Sequence, residues 1–184
     1  MSQTKWIADP LHSEVNFKVK HLMISTVKGQ FKDFSIEAET DDNDFGTLRN
    51  LLFTAEVNSI NTNNAQRDAH LKSADFFHAE QNPQIKFVGK KYEINDGEGS
   101  VTGDLTIAGT TKEISVNVEY GGIAIDGYGQ TKAGFTVTGK INRSDFGITY
   151  NSITETGGVL LSDEIKIDAD VQLTKQAESV EAVA

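Results

Sequence analysis

Asp9, His12 and Ser13 supply an acid, a base and a hydroxyl, the residue types of a nucleophilic hydrolase. They are crowded into five residues, where the chain can hardly fold back to align them, and the sequence contains no G-x-S-x-G elbow. A cap or turn role fits them better. Asp68, His70 and His78, with His12 or His21, carry metal-ligand chemistry. There is no H-E-x-x-H, however, and an Asp-x-His pair on a helix points to different sides. Arg67 and His70 read instead as polar anchors of that helix. Asp41-Asp42-Asn43-Asp44 has the carboxylates for calcium but lacks the pattern of a calcium-binding loop, so a solvated loop is expected. Gly97-Glu98-Gly99 through Gly103 has the wrong spacing for a dinucleotide loop and lies between two strand patterns. Asn142-Arg143-Ser144 is a formal glycosylation sequon with no secretory signal ahead of it. These residues make no catalytic constellation, and no enzyme activity, metal or cofactor is expected.

The elements that position these residues are strands. Apolar and polar residues alternate through Val15, Phe17 and Val19, through Phe34, Ile36 and Ala38, and through Phe53, Ala55 and Val57. The same period runs through Val101 to Ile107, Ile114 to Tyr120, Ala133 to Ile141 and Ile165 to Leu173. Each segment predicts a strand with one buried and one wet face. Asn95-Asp96-Gly97, Gly109-Thr110, Asp126-Gly127 and Gly157-Gly158 read as tight links between antiparallel strands. Val27 to Gly29 and Ser144 to Gly147 read as turns. One run, Ala65 to Ala74, has helix formers and no alternation, with Asn63 and Asn64 as cap residues, and predicts a single short helix. About eight amphipathic strands leave more apolar sheet face than one helix covers, so the sheet must cover itself as a barrel or a sandwich. An eight-stranded barrel either holds one small ligand or is filled by its own side chains, and periodicity does not choose between these.

The chain has 184 residues, a net charge of −10 and no cysteine, which excludes disulfides and thiolate chemistry. Its acidic balance opposes, on average, nucleic-acid backbones and anionic lipid surfaces. No stretch has the roughly 20 apolar residues of a membrane span, and residues Met1 to Trp6 have no signal-peptide core, so the expected location is the cytoplasm. A leader removed upstream would make it periplasmic. Ten phenylalanines, among four tyrosines and one tryptophan, give the interior a large apolar content with few polar handles.

Five blocks in order carry a resemblance. They are Trp6 to Leu22, Ser59 to Phe77 with its Arg67-Asp68-Ala69-His70-Leu71-Lys72-Ser73-Ala74-Asp75 run, Gly103 to Lys112, Ile141 to Gly147, and Asp163 to Ile167. Together they resemble the YceI-like lipid-binding family over nearly the whole chain, from about Trp6 to Leu173. The resemblance implies an all-β, lipocalin-like antiparallel barrel of about eight strands with one short helix, spanning 1–174, and 175–184 is expected to be a disordered tail. It also implies non-catalytic binding, sequestration or transport of a polyisoprenoid, quinone-like or other amphiphilic lipid in an apolar tunnel, often in a homodimer.

The expected ligand-binding residues, inferred from alternation, are Phe17, Val19, Phe34, Phe53, Phe87 and Phe135. His12, His21, Arg67, Asp68 and His70 are expected at the mouth, near a head group. No nucleic-acid partner and no stable membrane insertion are expected. Two other readings stay open at this point: a lipid-modifying enzyme using His70 and Asp68, and a filled barrel serving as a stress-related interaction module.

Overall fold

The computed structural model describes residues 2–151 and 161–177. Its strands are β1 (Gln3–Ala8), β2 (Glu14–His21), β3 (Ser25–Phe31), β4 (Phe34–Asp41), β5 (Asp44–Glu56) and β6 (Ile60–Asn61). After helix α1 (Ala65–Lys72) follow β7 (Gln84–Asn95), β8 (Glu98–Ile107), β9 (Thr110–Ile125), β10 (Thr131–Asn142) and β11 (Leu161–Lys175). The ring runs β1-β4-β5-β7-β8-β9-β10-β11 and closes when β11 pairs with β1. It is an eight-stranded, antiparallel barrel.

β1 and β2 both run along β11, through Ala8↔Leu173 and then Glu14↔Asp170. β4 pairs β1 and β3 pairs β2, so each couple is one long stave broken near its middle. The alternation sets which face is inside. On β8, Val101, Leu105 and Ile107 are buried, and on β11 Ala169, Val171 and Leu173 are buried. A slip of one residue in register would turn every one of these side chains outward. Each fully buried Leu, Ile, Val or Phe contributes about 1.5–3 kcal/mol, so the register is strongly specified.

Of two expected turns, one is a strand and one turns. Val27 to Gly29 lies inside β3, because Gly29 sits opposite Phe17 and the Phe17 ring occupies the space where a Cβ would stand. Gly29 makes room for an aromatic ring and does not turn the chain. Ser144 to Gly147 does turn, through a short 3-10 segment at Arg143–Phe146. Lys175, placed in the tail by the sequence pattern, closes β11, and Gln176 N–H donates to the Lys5 carbonyl at 2.8 Å. Edge pairing with β1 extends the strand beyond its alternating core. Gly157-Gly158 and 178–184 lie outside the described residues.

Helix α1 ends at Lys72, two residues short of the expected Ala74. Asn64 caps it, its side-chain oxygen accepting from Arg67 N–H at 2.9 Å. None of its residues is buried, and eight residues are too few to stand alone in water. Buried Thr62 holds it down: Thr62 N–H and Oγ1 donate to Asp68 Oδ1 at 2.9 and 2.6 Å, while Arg67 Nε donates to Thr62 Oγ1 at 2.8 Å.

Candidate ligand site

The barrel is neither filled nor an open tube. Two adjoining cavities of about 160 Å³ each lie inside it, and the surface the described residues present into them is apolar. Val15, Phe53, Leu105 and Ile167 border both and so form the partition between them. The inner chamber is further walled by Ile36, Phe87, Val116 and Phe135. The outer chamber is walled by Phe17, Val19, Leu71, Phe76, Phe77 and Ile148. A cavity of roughly 150 Å³ lined by aliphatic and aromatic side chains stays dry and accepts an apolar guest of benzene size.

The inner end is plugged by aromatic rings. Phe45 packs on Trp6 at 4.8 Å between centroids, on Phe135 at 4.9 Å and on Tyr120 at 5.3 Å. Burial alone pushes the Tyr120 phenol above its ordinary value. Over the outer chamber His70, Phe76 and Tyr150 form a second ring cluster, with centroid separations of 5.0–5.2 Å. His70 Nε2 also bonds Asp75 Oδ2 at 2.9 Å.

Arg143 supports this cluster from below. It is buried, and its guanidinium donates to the carbonyls of Ser162 (3.0 Å), Ile148 (3.0 Å) and Tyr150 (2.7 Å), with Leu161 at 3.4 Å. Desolvation lowers its pKa and the nearby Asp163 carboxylate partly restores it, yet an arginine stays charged throughout. The carbonyl dipoles supply the solvation that water would otherwise give. This fork fixes the backbone that carries Ile148 and Tyr150, which ties the wall of the outer chamber to its covering ring.

Of the expected ligand-binding residues, Phe17 and Val19 border the outer chamber, Phe87 and Phe135 the inner, and Phe53 both. Phe34 does not. It shares the inward parity of Ile36 but packs against the core away from either cavity, opposite Ala55. Among the mouth residues, His70 stands in the covering cluster. His21 is half-buried at the next inward position after Val19, on the rim of β2.

Arg67 and Asp68 border neither chamber and are engaged with Thr62, so their polar atoms anchor the helix, the role that the sequence also offered for Arg67. His12 too stands apart from the chambers. It lies on the outer wall at the break between β1 and β2, borders neither chamber, and its Nδ1 bonds Asp9 Oδ2 at 2.8 Å. Asp9 also accepts from Leu11 N–H and from the nearly buried Lys132 ammonium at 3.0 Å. Ser13 Oγ accepts the Gln172 backbone N–H at 2.9 Å, so this trio braces the strand break.

Sequence reasoning missed Leu71, Arg143 and Ile148 and left Phe76 and Phe77 among phenylalanines that either fill a core or line a cavity; all five lie on helix, turn or loop segments where no period-two signal exists. The only available signal was the Phe76-Phe77 pair directly after the helix. Among the described residues no group of His, Asp and Glu is arranged to hold a metal ion, and no helix is long and apolar enough to cross a membrane.

Comparison with known proteins agrees with this architecture. The chain is 45% identical over 172 residues to a UPF0312 protein of Staphylococcus epidermidis, covering 93% of this chain and 98% of the relative. It is similar to the YceI protein crystal structure from Campylobacter jejuni, with 40% identity, a TM-score of 0.73, and 86% and 90% of the two chains covered. A polyisoprenoid-binding domain from Saccharophagus degradans, implicated in plant cell wall breakdown, shares the fold at 12% identity, with a TM-score of 0.66 over 93% and 98% of the chains. The YceI-like domain pattern itself matches residues 6–173, from the tryptophan that plugs the inner end to the leucine where β11 meets β1, and the chain belongs to that family.

Proposed function

We propose that the protein binds a linear amphiphilic lipid of isoprenoid or quinone-tail type and carries it by burial, with no covalent step. The observation that supports this reading is the pair of in-line apolar chambers sharing the Phe53 partition. Each is wide enough for one ring or a short branched segment, so the shape selected is long and narrow. About twelve carbons fill the two cavities as they stand. A chain of about 20 carbons fits when Phe53 swings aside or when its end runs out past the His70–Phe76–Tyr150 cluster.

At about 0.3 kcal/mol per heavy atom, such a chain gains about 6 kcal/mol, corresponding to a dissociation constant of tens of micromolar. Phe17, Val19, Phe53, Phe87 and Phe135 contact the chain in this reading, and His70 and His21 face its polar end at the rim. The polyisoprenoid-binding domain of Saccharophagus degradans, with the same fold, supports the ligand class by analogy. An enzyme reading would pair His70 with Asp68, but His70 is bonded to Asp75 and Asp68 to Thr62.

The test is mass spectrometry of an organic extract from protein purified without detergent. A stoichiometric long-chain species is expected. An empty extract, together with no uptake of labelled polyprenol or quinone, would reject carriage in favour of an interaction module. Light scattering on the same sample checks the expected homodimer.

A further inference from the structure

Four lysines stand side by side across four neighbouring strands. Lys140 of β10 is opposite Lys166 of β11, Lys166 is opposite Lys18 of β2, and Lys18 is opposite Lys28 of β3. Lys28, Lys140 and Lys166 are exposed and Lys18 is half-buried. Exposed Lys20 adds a fifth cation one outward position along β2. Among the described residues, the outward carboxylates nearest the row are Glu164 and Asp168 on β11, with Asp168 Oδ2 3.9 Å from Lys18 Nζ, while Asp170 and its β2 partner Glu14 lie two outward positions beyond the row, away from the β2–β3 turn. Like charges directly opposite one another weaken a sheet. In a chain of net charge −10, a row of them has no explanation in folding or in average composition.

The hairpin that carries Lys18 and Lys28 has an unusual tip. It turns through Leu22 and Met23, with φ of 53° and 59°. The β7–β8 and β8–β9 hairpins use Asp96-Gly97 and Ala108-Gly109 at such angles, in keeping with the demand of a tight hairpin turn for glycine or Asn. Bulky apolar residues at positive φ are strained, and strain of this kind clusters where function needs it. These side chains also face water: Met23 is 62% and Ile24 84% exposed. Neither chamber uses them.

We propose that the β2–β3 hairpin docks the barrel on an anionic lipid bilayer. Leu22, Met23 and Ile24 enter the boundary between head groups and acyl chains, which interfacial elements penetrate by roughly 5–10 Å. Lys20, two residues behind the tip, then lies at about the depth of the phosphates. The lysine row follows about 13 Å behind the tip, where it faces the anionic surface from within the range of weakly screened attraction. A nucleic acid would use the lysines but not the apolar tip. The inner side of the same strand places Phe17 and Val19 in the wall of the outer chamber, so docking brings that chamber to the membrane. This goes beyond lipid carriage and stands without it.

Flotation with vesicles tests it. The protein is expected to float with phosphatidylcholine–phosphatidylglycerol vesicles at low salt, and not with phosphatidylcholine alone or at high salt. Each lysine near an anionic surface contributes about fivefold to partitioning, so K28Q/K166Q should weaken it about twenty-five-fold. L22N/M23G should abolish flotation while raising the melting temperature, because Asn-Gly suits the turn; that opposite pair of effects rules out misfolding. Polyprenol uptake from solution should be unchanged in these variants, which separates this proposal from carriage. No flotation with anionic vesicles, equal flotation with neutral ones, or full flotation of L22N/M23G overturns it.

Discussion

Trp6 Nε1–H donates to Thr40 Oγ1 at 2.8 Å, and both residues are wholly buried where β1 meets β4. Thr40 Oγ1 donates onward to the Asp42 carbonyl at 2.7 Å, so one hydroxyl satisfies the indole and ties the β4–β5 turn. An indole N–H left unpaired inside the protein costs about 1–3 kcal/mol, whereas removing both partners costs less than the sum of the two losses. Thr40→Val should therefore destabilise by about 2 kcal/mol, and adding Trp6→Phe should cost less than Trp6→Phe alone costs the parent. Urea unfolding of the four proteins, followed by circular dichroism, gives the coupling; additive losses would mean that the bond does not matter.

The barrel was legible because its signal is local. Ile165, Ile167, Ala169, Val171 and Leu173 alternate in any register, and too much apolar face for one short helix requires a self-covering sheet, a barrel or a sandwich, between which the family resemblance chose. The chamber walls contributed by strands were legible for the same reason, which is how Phe17, Val19, Phe53, Phe87 and Phe135 could be placed. Phe34 was misplaced because parity gives the face and not the depth along the barrel. Arg67, Asp68 and His12 border neither chamber, because each bonds a residue close by in sequence, Thr62 or Asp9, a local pairing that residue types alone do not announce. The lysine row is a product of register between strands far apart in sequence, so the average charge concealed it.

Asp9 makes stability depend on acid. The bond to His12, followed by those to Lys132 and the Leu11 N–H, outweighs burial and lowers its pKa from 3.8 to about 2. A carboxylate held below its unfolded value contributes stability that is complete above about pH 4 and is lost as pH falls towards 2. The Asp9 side chain is 15% exposed but the His12 imidazole that bonds it is 64% exposed, so solvent screens the bond and the contribution at neutral pH is about 1 kcal/mol. Asp9→Asn should lower stability by about that much at pH 7 and flatten its decline between pH 4 and 2. Denaturant titrations at a series of pH values check both; a decline as steep as the parent's would assign the acid sensitivity to other carboxylates.

Arg143 needs the shape of a guanidinium as well as its charge. Three carbonyls, of Ser162, Ile148 and Tyr150, are reached at 2.7–3.0 Å by a planar fork. One ammonium cannot meet acceptors spread in that way. Arg143→Lys should cost about 3 kcal/mol, or a fall of about 6–12 °C in melting temperature for a domain of this size. It should also speed release of a bound chain, because Tyr150 loses its anchor over the outer chamber. Calorimetry and a stopped-flow chase read these separately. A variant as stable as the parent would show that the charge alone suffices.

Phe53 decides the length of chain the barrel accepts. It lies between Ile36 and Phe87 on neighbouring strands, and its ring borders both chambers. Phe53→Ala removes the aromatic ring from the four side chains of the partition and opens a passage between the cavities, at a cost of about 3 kcal/mol without ligand because the ring is only half-buried. A chain that fills the joined cavity restores stability in proportion to its occupancy. The variant should therefore prefer longer chains than the parent, and its melting temperature should rise more on binding them. Phe53→Trp should shift the preference to shorter chains. Both shifts can be read from displacement of a fluorescent fatty probe by alcohols of graded length. If Phe53→Ala lost stability but kept the parent's length preference, the chain would not pass through this partition, and binding would have to be confined to the outer chamber.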